Sequence, residues 1–212
     1  AVASMSTLSM AQTRTIEHEY SEFDAISVSD GFKVSFVESD GYSARFKVND
    51  AFESYVQCYV KAGTLYIGVD DKSIPKEVKK SFKGKNSDDP VLEATVYVPS
   101  LKAVTLSDNC TFSCDKDINA PKFTLELSGT SSVSNLNIHA GESAVITVSK
   151  KAKLSSVNVK AEDKVTVNAE GNASVVLEYS AKTLEVNNSG SAELAINGQA
   201  ETVSVSTAGS AK

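Results

Sequence analysis

The sequence predicts an all-β chain wound as a parallel solenoid, with coils of about nineteen to twenty-one residues and one short inserted helix. Three observations predict it. From Val104 to Lys212 one phrase returns at a nearly constant interval: an alternating apolar run, a small pair, then a second alternating run. Aligned on the pair it reads Ser107-Asp108, Ser128-Gly129, Ser149-Lys150, Glu170-Gly171, Ser189-Gly190 and Ala208-Gly209, so that three steps of twenty-one give way to two of nineteen. A fixed period of this size marks stacked repeats. The second observation is a set of apolar columns. Four residues before the Gly register stand Val104, Leu125, Ile146, Val167, Val186 and Val205, and four after it stand Phe112, Val133, Leu154, Val175 and Leu194. The third is that polar residues interleave with these columns, which is the period-2 pattern of strands.

Further columns fill in the coil. Six residues before the register come Phe123, Ala144, Val165, Leu184 and Val203, with Lys102 the exception; two after it come Cys110, Ser131, Ala152, Ala173 and Ala192, all small. Apolar residues held at one phase in same-sense repeats suggest parallel stacking at about 4.8 Å per layer. No repeat could bury its apolar face alone, so the array should fold as one cooperative unit. The shorter coils that begin after Gly171 are predicted to lose one residue at each of two corners, since a slip within a strand would turn the core outward. Gly129, Gly171, Gly190 and Gly209 suit a corner needing positive φ. Asp108 tolerates that conformation, whereas Lys150 should cost about 1–2 kcal/mol there.

Taken from its start, the chain opens with a weakly patterned stretch, residues 1–13, expected to be a leader remnant or a flexible arm. Residues 14–212 are expected to form one domain, its first part, 14–100, less regular than the repeats of 101–212. Alternation predicts strands at Ile26/Val28, Phe32/Val34/Phe36, Phe46/Val48, Val56/Cys58/Val60, Leu65/Ile67/Val69 and Leu92/Ala94/Val96/Val98. Asp30-Gly31 reads as a hairpin turn or as an early copy of the Ser107-Asp108 corner, and the second reading is preferred. Ser73 is expected to cap a helix with Pro75 in its first turn and Ile74, Val78 and Phe82 on its apolar face, running to Lys85. Its lysines, Lys72, Lys76, Lys79, Lys80 and Lys83, read as a solvated face; Asn86 to Pro90 reads as a loop.

Motifs of catalysis are sparse. The net charge of −6 argues against nucleic acid as a partner. Cys110 and Cys114 both fall in inward columns and read as small core residues, with a bridge from Cys58 to one of them the alternative. His18 and His139 lack Ser or Asp at recognisable spacing. No nucleophile elbow, phosphate loop or dinucleotide fingerprint is present. Asp108, Asp115 and Asp117 are weak as a calcium set, and no metal or cofactor is expected. Outward positions are mostly Ser, Thr and Asn, and Arg14 and Arg45 are the only arginines. That composition fits neither the carboxylate–arginine clusters of polysaccharide lyases nor those of hydrolases.

Several short motifs, in order, carry a family likeness. They are the opening Phe23-Asp24-Ala25-Ile26-Ser27-Val28, the strand Gly63-Thr64-Leu65-Tyr66-Ile67, the lead-in Pro99-Ser100-Leu101-Lys102-Ala103-Val104, and the corners Leu127-Ser128-Gly129 and Ser189-Gly190-Ser191. With these, the chain from about Arg14 to Gly209 resembles the bacterial family called putative auto-transporter adhesin, head GIN domain. The resemblance implies a right-handed parallel β-helix similar to pectin lyases but without their catalytic residues. It also implies an exported, surface-associated or secreted protein with a role in adhesion. Asp108 and Lys150 depart from the glycine corners. With three residues past Gly209, the last coil is expected to be incomplete and its edge open to pairing.

The expected function is a non-enzymatic adhesin-like module. It would present a flat polar sheet face, Glu126/Thr147/Asn168/Asn187, to glycans or to host or cell-surface proteins. Membrane attachment would need an anchor not visible here, and homo-oligomers are compatible. A carbohydrate-active enzyme of the pectin-lyase type and a structural envelope spacer are the alternatives.

Overall fold

The computed structural model describes residues 12–82 and 89–211. The expected leader or arm falls almost wholly outside these, as do Lys83, the expected helix end at Lys85 and residues 86–88 of the loop. In chain order the strands are β1 (Thr13–Glu19), β2 (Ala25–Val28), β3 (Lys33–Glu38), β4 (Ser43–Asn49), β5 (Val56–Lys61), β6 (Thr64–Val69), β7 (Leu92–Val98), β8 (Ala103–Leu106) and β9 (Thr111–Cys114). They continue as β10 (Ile118–Leu127), β11 (Ser132–Val148), β12 (Lys153–Ala161), β13 (Lys164–Ala169), β14 (Ser174–Ser180), β15 (Thr183–Asn188), β16 (Glu193–Gln199) and β17 (Thr202–Thr207). Among the described residues one helix, α1 (Lys76–Ser81), and a 3-10 turn, Glu53–Tyr55, interrupt them.

The chain winds as a β-helix of about five turns. One face stacks β6, β2, β8, the ends of β10 and β11, β13, β15 and β17, all in parallel. A second face stacks β7, β3, β9, the start of β11, β12, β14 and β16, also in parallel. The apolar columns point inward. Val104, Leu125, Ile146, Val167, Val133, Leu154 and Val175 are all buried, as are the small residues Cys110, Ser131, Ala152, Ala173 and Ala192. Ser131 is tolerated there because its Oγ donates to the Ser128 carbonyl of its own turn at 2.8 Å, so no polar atom is stranded. Asn188 occupies another inward position, and its amide donates to the Ala192 carbonyl across the corner.

The corner between the faces is one turn repeated. Asp108, Gly129, Lys150, Gly171, Gly190 and Gly209 all have positive φ, from 57° to 76°. At the four corners from Lys150 to Gly209 the next residue donates its N–H to the corner carbonyl of the preceding coil: Lys151 to Gly129, Asn172 to Lys150, Ser191 to Gly171 and Ser210 to Gly190, at 2.7–2.9 Å. Lys150 therefore adopts the left-handed conformation, at φ 60°, rather than a different turn. Lys150→Gly should relieve that strain and add about 1 kcal/mol of stability, a rise of about 2–4 °C in Tm for a chain this size. A lower Tm by calorimetry would mean the lysine is held there by contacts worth more than its strain.

The shortening of the later coils falls at two places. Leu154 pairs with Val175 and Val157 with Leu177, so Ser155 and Ser156 together face Val176. The extra residue sits in a left-handed kink, Ser156 at φ 53°, over the matching Asn135 at φ 55° in the coil before. The second loss lies between Lys160 and Lys164, which pair with Ser180 and Thr183. Both lie outside the inward alternation, so the core keeps its phase.

The N-terminal part is mixed rather than uniformly parallel. The β2–β3 coil turns at Asp30, φ 62°, and lies directly against β8–β9, which makes Asp30-Gly31 an early copy of the corner. On its other side lies the β6–β7 coil, whose corner is replaced by the segment carrying α1. Antiparallel strands finish this end: β5 beside β6, β4 beside β7, and β1 outside β4. The periodicity did not reveal β1, because six of its seven residues are exposed and it carries no alternation. Its first residue, Thr13, is the last of the stretch expected to be a leader or arm. The helix also starts later than expected. Pro75 is its cap, without a side-chain hydrogen bond, and the Ser73 hydroxyl donates to Asp70 instead. Ile74 is buried, and the Phe82 ring lies 4.9 Å from that of Phe52.

All three cysteines are free, which removes the bridge from Cys58. Cys114 is only half-buried, its thiol donating to the Lys116 carbonyl, because the chain leaves the strand at Asp115. Burial pushes the Cys58 and Cys110 thiols up to about 11. Only the thiolate is nucleophilic, so at neutral pH a thiol reagent should leave both unmodified until the protein unfolds. Rapid labelling of Cys110 in the folded state would contradict its placement.

Candidate functional site

The face built on β13 and its neighbours carries the residues singled out from the sequence. Pairing places Thr105, Glu126, Thr147, Asn168, Asn187 and Ser206 side by side, one per coil, in one straight outward column. Their strands alternate so that each but Ser206, on the exposed β17, faces away from a buried neighbour. Glu126, Asn187 and Ser206 are exposed, and Thr105, Thr147 and Asn168 half-buried. The column is ordered from within. Asn187 Nδ2 donates to Asn168 Oδ1 at 3.0 Å and to Glu185 Oε1 at 3.2 Å, and Asn168 Nδ2 donates to Thr147 Oγ1 at 3.4 Å. Lys164 Nζ lies 2.5 Å from Glu185 Oε2. Hydrogen bonds from Lys164 and then Asn187, with the lysine's charge, hold the Glu185 carboxyl below the ordinary glutamate range. These links fix side chains that would otherwise lose rotamer freedom on meeting a partner.

The same column runs on past the repeats. Thr105 pairs with Ser27, Ser27 with Tyr66, and Tyr66 with Tyr59 across the β5–β6 hairpin. The two tyrosine rings stack with centroids 5.2 Å apart and planes 16° from parallel. Tyr59 remains 50% exposed. Sequence reasoning missed this pair, although the inward phase of Leu65 and Ile67 already put Tyr66 on the outside.

A shallow groove of about 750 Å³ lies elsewhere, where the start of β10 pairs with β11 and β11 in turn with β12. Asn119, His139, Lys160 and Ser180 line up along it over a floor of Ala120, Ala140 and Ala161. His139 Nε2 lies 3.5 Å from Asp117 Oδ2, Asn137 Nδ2 donates to Asp117 Oδ1 at 2.9 Å, and Lys122 pairs with Glu142 at 3.1 Å. Asp117 is thus engaged by Asn137 and His139 and lies apart from Asp108, and among the described residues no His, Cys, Asp or Glu cluster is spaced to hold a metal. His18 is on β1, its ring 6.4 Å from Tyr20. Tyr20 in turn shares a hydrogen bond with Cys58, and burial raises its hydroxyl above the ordinary tyrosine range.

Comparison with known proteins agrees with this architecture. The family model described as putative auto-transporter adhesin, head GIN domain, matches residues 22–212. A crystal structure of a putative adhesin from Bacteroides fragilis is similar over 95% of both chains, with 14% identity and a TM-score of 0.66. One from Parabacteroides merdae, also a putative adhesin, covers 95% of both chains at 14% identity and a TM-score of 0.46. A putative lipid binding protein from Parabacteroides distasonis covers 95% of this chain and 96% of its own at 20% identity, with a TM-score of 0.47. No curated protein matches the chain.

Proposed function

The chain belongs to the putative auto-transporter adhesin, head GIN domain family, and from that premise we propose that it is a non-enzymatic, exported binding module acting through its flat polar face. The observation that carries the reading is the straight column from Thr105 to Ser206, in register on an unbroken sheet and tied together by Asn168 and Asn187. Such a face gains affinity from many shallow contacts of one kind rather than from one deep pocket. Its partners are glycans or cell-surface proteins. The test is binding of purified protein to cells and to immobilised glycans and surface proteins. Saturable binding is expected, and it should fall at least tenfold when Thr147, Asn168 and Asn187 are replaced together by lysine. Wild-type protein that binds nothing, or a triple variant that binds equally well, would overturn the proposal.

A second reading, an envelope spacer that self-associates, is favoured by one observation. Strand β17 is exposed throughout, with Val203 and Val205 54% and 61% exposed although they stand in inward columns. Light scattering that shows oligomers, lost when both valines become threonine, would support it over the first. Release of unsaturated or reducing ends from a polysaccharide would instead establish the enzymatic alternative.

A further inference from the structure

We propose that Tyr59 and Tyr66 form the anchoring subsite of the polar face and that the ligand they select is an uncharged, linear glycan running along the coil axis. The inference rests on the binding-face reading and names the ligand class of that same surface.

The geometry begins with the hairpin. Tyr59 and Tyr66 are direct cross-strand partners, so their rings stand together on the outer surface, nearly parallel. Among the described residues β5 pairs only with β6, so no strand lies beside the ring of Tyr59 on the side away from Tyr66. On the other side, Tyr66 is followed along the column by Ser27 and Thr105, whose short side chains leave room above them before Glu126 rises. The stack therefore offers ring surface outward, and inward over a low stretch of the sheet.

A pyranose has one apolar face of C–H bonds and a rim of hydroxyls. Exposed aromatic surface matches the first, and fixed amides, hydroxyls and a carboxylate match the second. Both occur here in one line. Beyond the tyrosines come Ser27, Thr105, Glu126, Thr147, Asn168, Asn187 and Ser206, one per layer of about 4.8 Å, a rung for each successive sugar of an extended chain.

Charge decides which glycan. The column from Tyr59 to Ser206 carries one ionised side chain, Glu126, and no cation. Lys164, on the same strand as Asn168, is bound to Glu185. A polyuronide or sulfated glycan would meet a carboxylate without a compensating charge, in a protein of net charge −6. An uncharged chain meets no such penalty.

The sequence contains seven tyrosines and no tryptophan, so tyrosine emission is not masked by indole, and the part of its change that Tyr59→Ala removes reports on the stack. Cellohexaose, xylohexaose, mannohexaose and chitohexaose are titrated into the folded protein, with oligogalacturonate as the acidic counterpart and calorimetry as a second readout. At least one neutral oligosaccharide is expected to bind and change the emission, and oligogalacturonate to bind at least tenfold more weakly. Tyr59→Ala should weaken the neutral ligand at least tenfold while Tyr59→Phe, which keeps the ring, stays within about threefold. A melting curve shows that the alanine variant is folded. If Tyr59→Ala binds as wild type while the triple lysine variant does not, the face binds but the tyrosines do not anchor it, and this proposal falls alone. The same holds if only the acidic oligosaccharide binds, or if the face binds cells or protein but none of the sugars. If wild-type protein binds no sugar, cell or protein, both proposals fall together.

Discussion

Val167→Asp should abolish the cooperative unfolding transition or lower Tm by at least about 8 °C. Val167 is fully buried between Ile146 and Val186 in the layers on either side. An aspartate there forfeits about 1.5–3 kcal/mol of burial and leaves a carboxylate without water or a partner, so the loss exceeds about 4 kcal/mol. At about 2–4 °C per kcal/mol for a chain of this length, that is the largest effect expected of any single substitution proposed. The control is Thr166→Asp, one residue away and on the outer surface. Its new charge stands beside Glu185, but Lys164 offsets that charge, and the cost should stay within about 1 kcal/mol. Equal effects in thermal melts would mean the inward and outward phases are misassigned.

Gly129→Ala is expected to cost about 2–4 kcal/mol, far more than an alanine at an ordinary surface turn. The φ of Gly129 is 72°, which an L side chain adopts at a cost of about 1–2 kcal/mol. Space is the larger difficulty. An added Cβ would lie 2.5 Å from the Asp108 carbonyl oxygen and 2.7 Å from its Cα. These are backbone atoms that cannot swing aside, because Thr130 donates both its N–H and its hydroxyl to that same oxygen. The equivalent distances are 2.9 Å at Gly190 and 3.2 Å at Gly171. The alanine variants should therefore rank Gly129, Gly190, Gly171 from most to least destabilised, with Gly171 paying little beyond its backbone strain. Three equal shifts in denaturant midpoint would show that backbone conformation alone, and not the close approach of coils, sets the cost.

The repeats were legible because every coil meets the same surroundings as the next. A buried Val or Leu recurs at a fixed distance from a left-handed corner, and even the shortening of the later coils could be placed from the apolar spacing. The N-terminal part does not have that property. The β2–β3 coil lies between β6–β7 and β8–β9, neighbours far from it in sequence, so no local period announces the arrangement. Strand β1 is written Thr-Arg-Thr-Ile-Glu-His-Glu and is held by backbone pairing to β4 and by ion pairs such as Arg45–Glu17, neither of which leaves an alternating trace. Cys114 looked inward by counting, yet the chain departs from the strand at the next residue. Of the polar face, Glu126, Thr147, Asn168 and Asn187 could be aligned by counting from the corner. Tyr59 and Tyr66 could not, because their place beside Ser27 depends on a hairpin and on a long-range pairing.

Whole coils are lengths of chain that can enter or leave this molecule while every remaining layer keeps the contacts it had. Copying the segment from one corner to the next would insert one more graduation of about 4.8 Å between the tyrosine end and β17, with every corner and every buried contact repeated. The protein is in this sense a measuring rod. Its reach is set by how many times a short stretch of gene is written, and can grow or shrink while the chemistry at each mark stays the same.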